Sequence, residues 1–213
     1  MIYLFIPYYG VWPDYFTECL NRQTVKHRIF KYDRKENGGG WTHACNLFYK
    51  SFIQWRGTED DIVCIMNNDI TFDDNFLSEG CRVEPGTILI PKDTGISIDW
   101  RTRKCSHGSD TFPGRAFFMN AADFINSGGF CSLIPHYLAD YDYGYKLVKK
   151  GMKIVEMTQG IKHEPHPVNR NPWTARSVNN PIAWTIFLLR NGRNKHIFLN
   201  LLKVWSELLM VLK

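Results

Sequence analysis

Asp61-Ile62-Val63-Cys64-Ile65-Met66-Asn67-Asn68-Asp69 is the stretch on which the fold turns. Residues 61–66 are continuous, β-branched and bounded by acids and Asn, the pattern of a strand buried on both faces in a parallel sheet. The Asn-Asn-Asp that follows stands where open α/β sheets bind ligands, beyond the carboxyl end of a strand. A carboxylate there can hold a hard divalent cation, which in turn holds a diphosphate. The same triplet is also good turn chemistry.

Outward from this strand, helices alternate with further strands. Residues 2–6 are a short apolar run stopped by Pro7 and Gly10, and 27–32 read as a second strand. Pro13 and Asp14 open a helix running to about Gln23, and 41–55 carry Ala44, Leu47, Phe48 and Phe52 at helical spacing. After the central strand, Asp73-Asp74 can cap a short helix through Cys81. Strands follow at 87–90, 116–119 and 153–157, with a polar, basic loop or hairpin at 97–110. Helical segments at 121–127 and 140–150 end at Gly128-Gly129 and Gly151. The expected fold is α/β: a Rossmann-like domain with a mixed, mostly parallel sheet and helices on both faces. An Asn/Pro-rich connector (HPVNRNPW) after Pro165 then leads to helices at about 182–190 and 196–212. The expected division is a catalytic domain over 1–166 and a C-terminal part over 167–213.

The chain has 213 residues, enough for one α/β domain, and its 44% hydrophobic and 22% charged residues exclude a disordered chain. A net charge of +5 suits a phosphate-bearing partner. Aromatics reach 15%, so some are expected to line a groove or a membrane-facing surface. The six cysteines are scattered without a CxxC pair, which excludes a zinc framework or a disulfide scaffold and suggests a reducing cytoplasm. The start, MIYLFIPYYG, reads as a first strand, not a signal peptide, and no stretch is apolar enough to span a membrane.

Four further places carry possible chemistry. Asp140 and Asp142 sit at the start of a helix, as caps or with Asp140 as a general base. His163-Glu164-Pro165-His166 could ligate a metal, or be an exposed pair of histidines in a loop; a hydrolase built on them lacks a well-spaced third ligand. Asp33 could accept hydrogen bonds from a nucleobase, or be a surface acid among Lys31, Arg34 and Lys35. The Gly38-Gly39-Gly40 loop can approach a phosphate or sugar, but lacks both P-loop and GxGxxG spacing, which excludes a dinucleotide site.

The order of these features resembles that of family-2 glycosyltransferases, over roughly residues 1–166. Residues 37–46 (NGGGWTHACN) resemble their Asn-x-Gly…Ala-x-Asn segment, and DIVCIMNNDITFDDNFL their strand with a metal-binding Asp-x-Asp or Asn-x-Asp. GRAFFMNAADFINSGGF, LADYDYGYKLVKKGMKI and IKHEP resemble the Gly-Gly-Phe segment, the Glu-Asp-x-Asp helix and the late metal-binding His. The resemblance implies a GT-A fold, a nucleotide-sugar donor, Mn²⁺ or Mg²⁺, and an inverting reaction. It implies Asp69, with Asn67 and His163, as metal ligands, Asp140 as catalytic base, and Asp33, Gly39, Asn46 and Asn68 at the donor. Three departures stand out: Ala139 occupies the position of the usual Glu, Asn67 replaces the first acid, and the segment between Asp33 and Asn37 is very short.

The acceptor has several readings. In the last helix Ile197, Leu201, Val204, Leu208 and Val211 form one apolar stripe and Phe198, Leu202, Trp205, Leu209 and Leu212 the next, with Asn200, Lys203 and Glu207 opposite. That face packs on the domain, pairs two copies in a homodimer, or docks peripherally on the inner membrane face with Arg190, Arg193, Lys195 and Lys203, which suits a glycan or lipid-linked acceptor. A second reading is sugar transfer onto modified bases of DNA, through Trp100, Arg101, Arg103, Lys104, His107, Arg170, Trp173 and Arg176. A third is a non-catalytic sugar- or nucleic-acid-binding module.

Overall fold

The computed structural model describes residues 1–55, 58, 60–164, 171–174, 177–178, 180–192 and 194–211. The central strand is β3 (Ile62–Met66), buried along its whole length. It pairs in parallel with β1 (Ile2–Tyr8), which pairs in parallel with β2 (His27–Asp33). On its other side β3 meets β8 (Ala116–Asn120) antiparallel. β8 is also antiparallel to β5 (Thr87–Ile90), which is parallel to β9 (Lys153–Glu156). The sheet order is β2-β1-β3-β8-β5-β9. Every strand but β8 runs the same way, so their carboxyl ends share one edge. The reversed β8 begins there, with Ala116 opposite Met66.

Side chains alternate between two buried clusters, as strands covered on both faces require. Leu4, Ile6, Cys64 and Phe118 join Phe16 of α1 (Asp14–Asn21) and Phe76 and Leu77 of α3 (Phe76–Gly80). Phe5, Val63, Ile65 and Phe117 join Phe48 of α2 (Trp41–Trp55), Phe124 of α4 (Ala121–Ser127) and Leu147 of α5 (Ala139–Lys149). The same cluster takes in Phe187 of α6 (Pro181–Asn191) and Val204 of α7 (Asn194–Val211). The inward stripe of the last helix therefore packs on its own domain.

Several local expectations are corrected. The acids at 73 and 74 do not cap α3, whose N-cap is Asn75 without a side-chain bond. Asp74 instead accepts from Arg22 Nε at 2.6 Å. Asp142 is no exposed cap: it is buried and accepts from Arg190 Nε and Asn191 Nδ2, each at 2.7 Å. Asn200, Lys203 and Glu207, the polar residues opposite the apolar stripes, bond to the turn at residues 100–103, Asn200 buried and the other two exposed. Asn200 Nδ2 donates to Trp100 O, Lys203 Nζ to Arg101 O at 3.2 Å, and Glu207 pairs with Arg103.

Two ribbons complete the fold. β6 (Ile96–Asp99) and β7 (Lys104–His107) make the hairpin expected at 97–110, starting one residue earlier. β4 (Ile70–Phe72) pairs antiparallel with β10 (Ile161–His163), a pairing with no signal in the sequence. Tight packing also constrains α3: a Cβ on Gly80 would overlap the buried Phe118 ring. Gly80→Ala is expected to destabilise by about 1–3 kcal/mol through overpacking, read as a lower denaturation midpoint with an unchanged m-value.

Candidate active site

The carboxyl edge of the sheet gathers the chemistry. β3 runs out into Asn67, whose N–H donates to Arg115 O at 2.9 Å and so extends the β3–β8 ladder. Asn67 Oδ1 accepts from the indole Nε1 of Trp41 at 3.3 Å. Trp41 opens α2, is buried, and stands edge-on to Phe130 with ring centres 5.2 Å apart. Trp41, Asn67, Gly114, Arg115, Tyr137 and Asp140 line a cleft of about 190 Å³.

Asp140 enters from the first turn of α5. Its Oδ2 accepts from Gly114 N at 2.6 Å and its Oδ1 from Tyr141 N at 2.9 Å. Burial raises its pKa above the ordinary aspartate value, outweighing those backbone donors and the Arg115 charge that favour ionisation. A carboxylate aligned by backbone donors and titrating high suits a general base. Burial and the Asp140 charge push the Tyr137 hydroxyl up to about 12, so it stays neutral and can donate at physiological pH.

Asp69 lies two residues beyond Asn67 on the same loop. The β4–β10 ribbon sets Ile70 opposite His163, and Glu164 N donates to Asp69 O at 2.9 Å. His163 Nε2 thereby comes within 3.4 Å of Asp69 Oδ2. Two ligands ~2.1 Å from one ion and at right angles to each other lie about 3.0 Å apart. The pair therefore fits neighbouring positions on a divalent cation.

The other expected donor residues have defined local work. Asp33 ends β2, and its Oδ1 accepts from Gly10 N at 2.9 Å and Lys35 N at 2.8 Å. Burial opposes its charge, but the backbone donors of Gly10, Lys35 and Glu36 outweigh it and lower its pKa. Asn68 Nδ2 donates to Val11 O at 2.7 Å, tying the Asp69 loop to the one after β1. Asn46 clamps the backbone of Phe130, accepting from its N–H at 2.8 Å and donating to its O at 3.1 Å. Gly39 takes a positive φ of 79° before α2. None of these four lines the Asp140 cleft, and neither do Asp69 and His163; of the expected metal-binding residues only Asn67 reaches it. His166, Arg170, Arg176, Arg193 and Leu212 lie outside the described residues, as do the side chains of Lys195 and Val211.

Sequence reasoning missed Gly114 and Arg115, and one group further along the edge. Asp93, His107 and Glu156 bring ligand atoms within 4.8 Å of one another, the one such group of three among the described residues. Glu156 Oε1 meets His107 Nε2 at 2.9 Å and accepts from Gly95 N at 2.8 Å. Asp93 and His107 line a cavity of about 310 Å³ that shares Pro113, Arg115 and Tyr141 with the Asp140 cleft. The three residues come from separate segments with no diagnostic spacing.

No protein-family model matches the chain, and no curated protein matches it significantly. Among solved structures, it is similar to the catalytic domain of Drosophila β1,4-galactosyltransferase 7, solved in complex with xylobiose. That match has 16% identity and a TM-score of 0.55, over 83% of this chain and 74% of that one. A nucleotidyl transferase from Methanothermobacter thermautotroptrophicus aligns at 9% identity and a TM-score of 0.43, over 74% and 88% of the two chains. The inositol-1-phosphate CTP transferase from T. maritima aligns at 13% identity and a TM-score of 0.34, over 78% and 71%. The galactosyltransferase match, with the mixed six-stranded sheet, identifies the fold as GT-A-type α/β.

Proposed function

We propose that this protein is a metal-dependent, inverting glycosyltransferase that moves a sugar from a nucleotide-sugar donor to a hydroxyl of a glycan or lipid-linked glycan. The observation that carries this reading is the cleft where Asn67, beyond β3, and Asp140, at the start of α5, meet with Arg115 between two cavities. The Asp69–His163 pair on the adjoining loop supports a metal-bound diphosphate. Mn²⁺ or Mg²⁺ held there would stabilise the negative charge of the departing nucleoside diphosphate.

The chain's own residues do the rest. Asp140 takes the proton of the acceptor hydroxyl, which attacks the anomeric carbon from the face opposite the leaving group. Gly114 N and Tyr141 N hold that carboxylate in place, while Trp41 holds Asn67 and walls the cleft against water. Arg115, exposed at the mouth, meets donor phosphate. Arg115→Ala is expected to raise the donor KM roughly 10-fold or more, the worth of a charge-assisted hydrogen bond. An unchanged KM in initial-rate measurements removes Arg115 from the donor site.

A Cβ on Gly114 would approach Asp140 Cβ to 3.1 Å and Trp41 Cζ2 to 3.0 Å. Gly114→Ala is expected to displace the base and cut turnover by roughly 10-fold or more, with the melting temperature little changed. Wild-type turnover would mean that the position of Asp140 does not matter.

The DNA reading is weakened by Trp100, which is buried and stacked on Phe187 at 5.8 Å, and so cannot stack on a base. The reading as a whole is tested by incubation with Mn²⁺ and UDP-, GDP-, dTDP- and CMP-sugars. Metal-dependent nucleotide release from one donor class is expected. No release from any donor, with or without saccharide acceptors, would favour a non-catalytic binding module.

A further inference from the structure

The last helix presents its apolar side to the outside. Its polar residues Asn200, Lys203 and Glu207 are spent on the β6–β7 hairpin, and Val204 and Leu208 pack inward. Phe198, Leu202, Trp205 and Leu209 remain 71%, 53%, 45% and 63% exposed. Their spacing puts them on one side of the helix. Leu189, at the end of α6, is exposed as well. A continuous apolar stripe of this kind marks an interaction site.

A cluster of cations stands at the end of α6, whose last residues, Arg190 and Asn191, come just before the start of α7. Lys146, Lys149, Lys150, Arg190 and Asn191 line an open cavity of about 330 Å³. Asp142 is the carboxylate beneath it, and it is already bonded to Arg190 and Asn191. Lys146 Nζ donates to Gly129 O, Lys149 Nζ to Arg190 O at 2.6 Å and Lys150 Nζ to Asn126 O at 2.8 Å, so backbone carbonyls fix the three ammonium groups around the cavity; burial, with a smaller push from the Lys150 charge, brings Lys146 down to about 8. An anion entering the cavity would pair with these ammonium groups and favour their charged forms.

We propose that this cavity receives the phosphate of an anionic phospholipid headgroup while the stripe of α7 enters the lipid interface, seating the protein on a membrane surface. A lipid surface supplies both the anion and the apolar phase. A second copy would cover the stripe, but the acid on its α6–α7 face, Glu207, is already paired with Arg103 and offers the cations nothing. No described helix is long and apolar enough to cross a membrane, so the contact is interfacial. The inference goes beyond the transferase reading and is measured without sugar transfer.

The test is flotation of the full chain with phosphatidylcholine vesicles, with and without phosphatidylglycerol, at low and high salt. Binding is expected only where phosphatidylglycerol is present, and it should weaken with salt. Lys149→Glu is expected to lower partitioning roughly five-fold or more, the effect of removing a cation near an anionic surface. Trp205→Gln should lower it comparably, and melting curves of both variants should match wild type. Failure to float with either vesicle overturns the proposal. If the protein then sediments as a dimer that Trp205→Gln dissociates, the stripe belongs to a second copy. If inorganic phosphate or glycerol phosphate saturates the cavity without any flotation, the site serves a soluble anion.

Discussion

Asp140→Asn is expected to lower turnover by ~10²-fold or more while nucleotide binding stays close to wild type. The asparagine has the same shape and keeps an oxygen for one of the two backbone donors, Gly114 N or Tyr141 N, so the local packing is retained at the loss of one hydrogen bond. What it cannot do is accept a proton. The pH profile carries a second signature. Because burial raises the Asp140 pKa, the wild-type rate should fall, as pH drops, through a value above that of an ordinary aspartate. In the variant that acid limb should disappear. The sign for stability is the reverse. A carboxyl whose folded pKa is raised favours the folded state while protonated and loses that contribution as pH rises through the raised value. Ionised Asp140 is thus a cost at neutral pH, and Asn there relieves it while giving up one of the two backbone hydrogen bonds, so the melting temperature should change little. A variant with wild-type turnover and an intact acid limb removes Asp140 from the chemistry.

Asp69→Ala carries the other large effect. If the diphosphate is held through a cation on Asp69 and His163, losing the carboxylate forfeits several kcal/mol of charge stabilisation, roughly 10²–10³-fold in rate. Chelation of the wild type by EDTA should abolish transfer and Mn²⁺ should restore it. The group of Asp93, His107 and Glu156 makes the control informative. His163→Ala should shift the Mn²⁺ concentration for half activity by roughly 10-fold or more, and His107→Ala should not. The opposite pattern places the working ion on the Asp93 side of Arg115. Full activity in the presence of chelator rejects a metal altogether.

Much of the scaffold was legible because its signals are local. Residues 62–66 are apolar throughout, and only burial on both faces tolerates that; the four-residue spacing of Ala44, Phe48 and Phe52 likewise fixes the buried side of α2, whereas Leu47, expected with them, is exposed. The order of motifs led to Asp69, Asp140 and His163, and the ribbon of β4 and β10 does bring two of these together. That ribbon itself was invisible: three-residue strands far apart in the chain leave no periodicity to read. Trp41, Gly114 and Arg115 were not recognised as site residues for a related reason. Their contribution is a close approach between α2, α5 and the start of β8, a property of the tertiary structure and of no single segment. The burial of Asn200 was not legible either, because its amide is satisfied by a backbone carbonyl far away in the chain.

The central claim is that the loop after β3 and the start of α5 together form one nucleotide-sugar site, with the cation on Asp69. Isothermal titration of UDP, GDP, dTDP and CMP in the presence and absence of Mn²⁺ tests it most directly, using wild type, Asp69→Asn and Asp140→Asn. The predicted result is binding of one nucleotide that requires Mn²⁺, is lost in Asp69→Asn and survives in Asp140→Asn. Binding that ignores both Mn²⁺ and the Asp69 substitution, or no binding of any nucleotide, would contradict it.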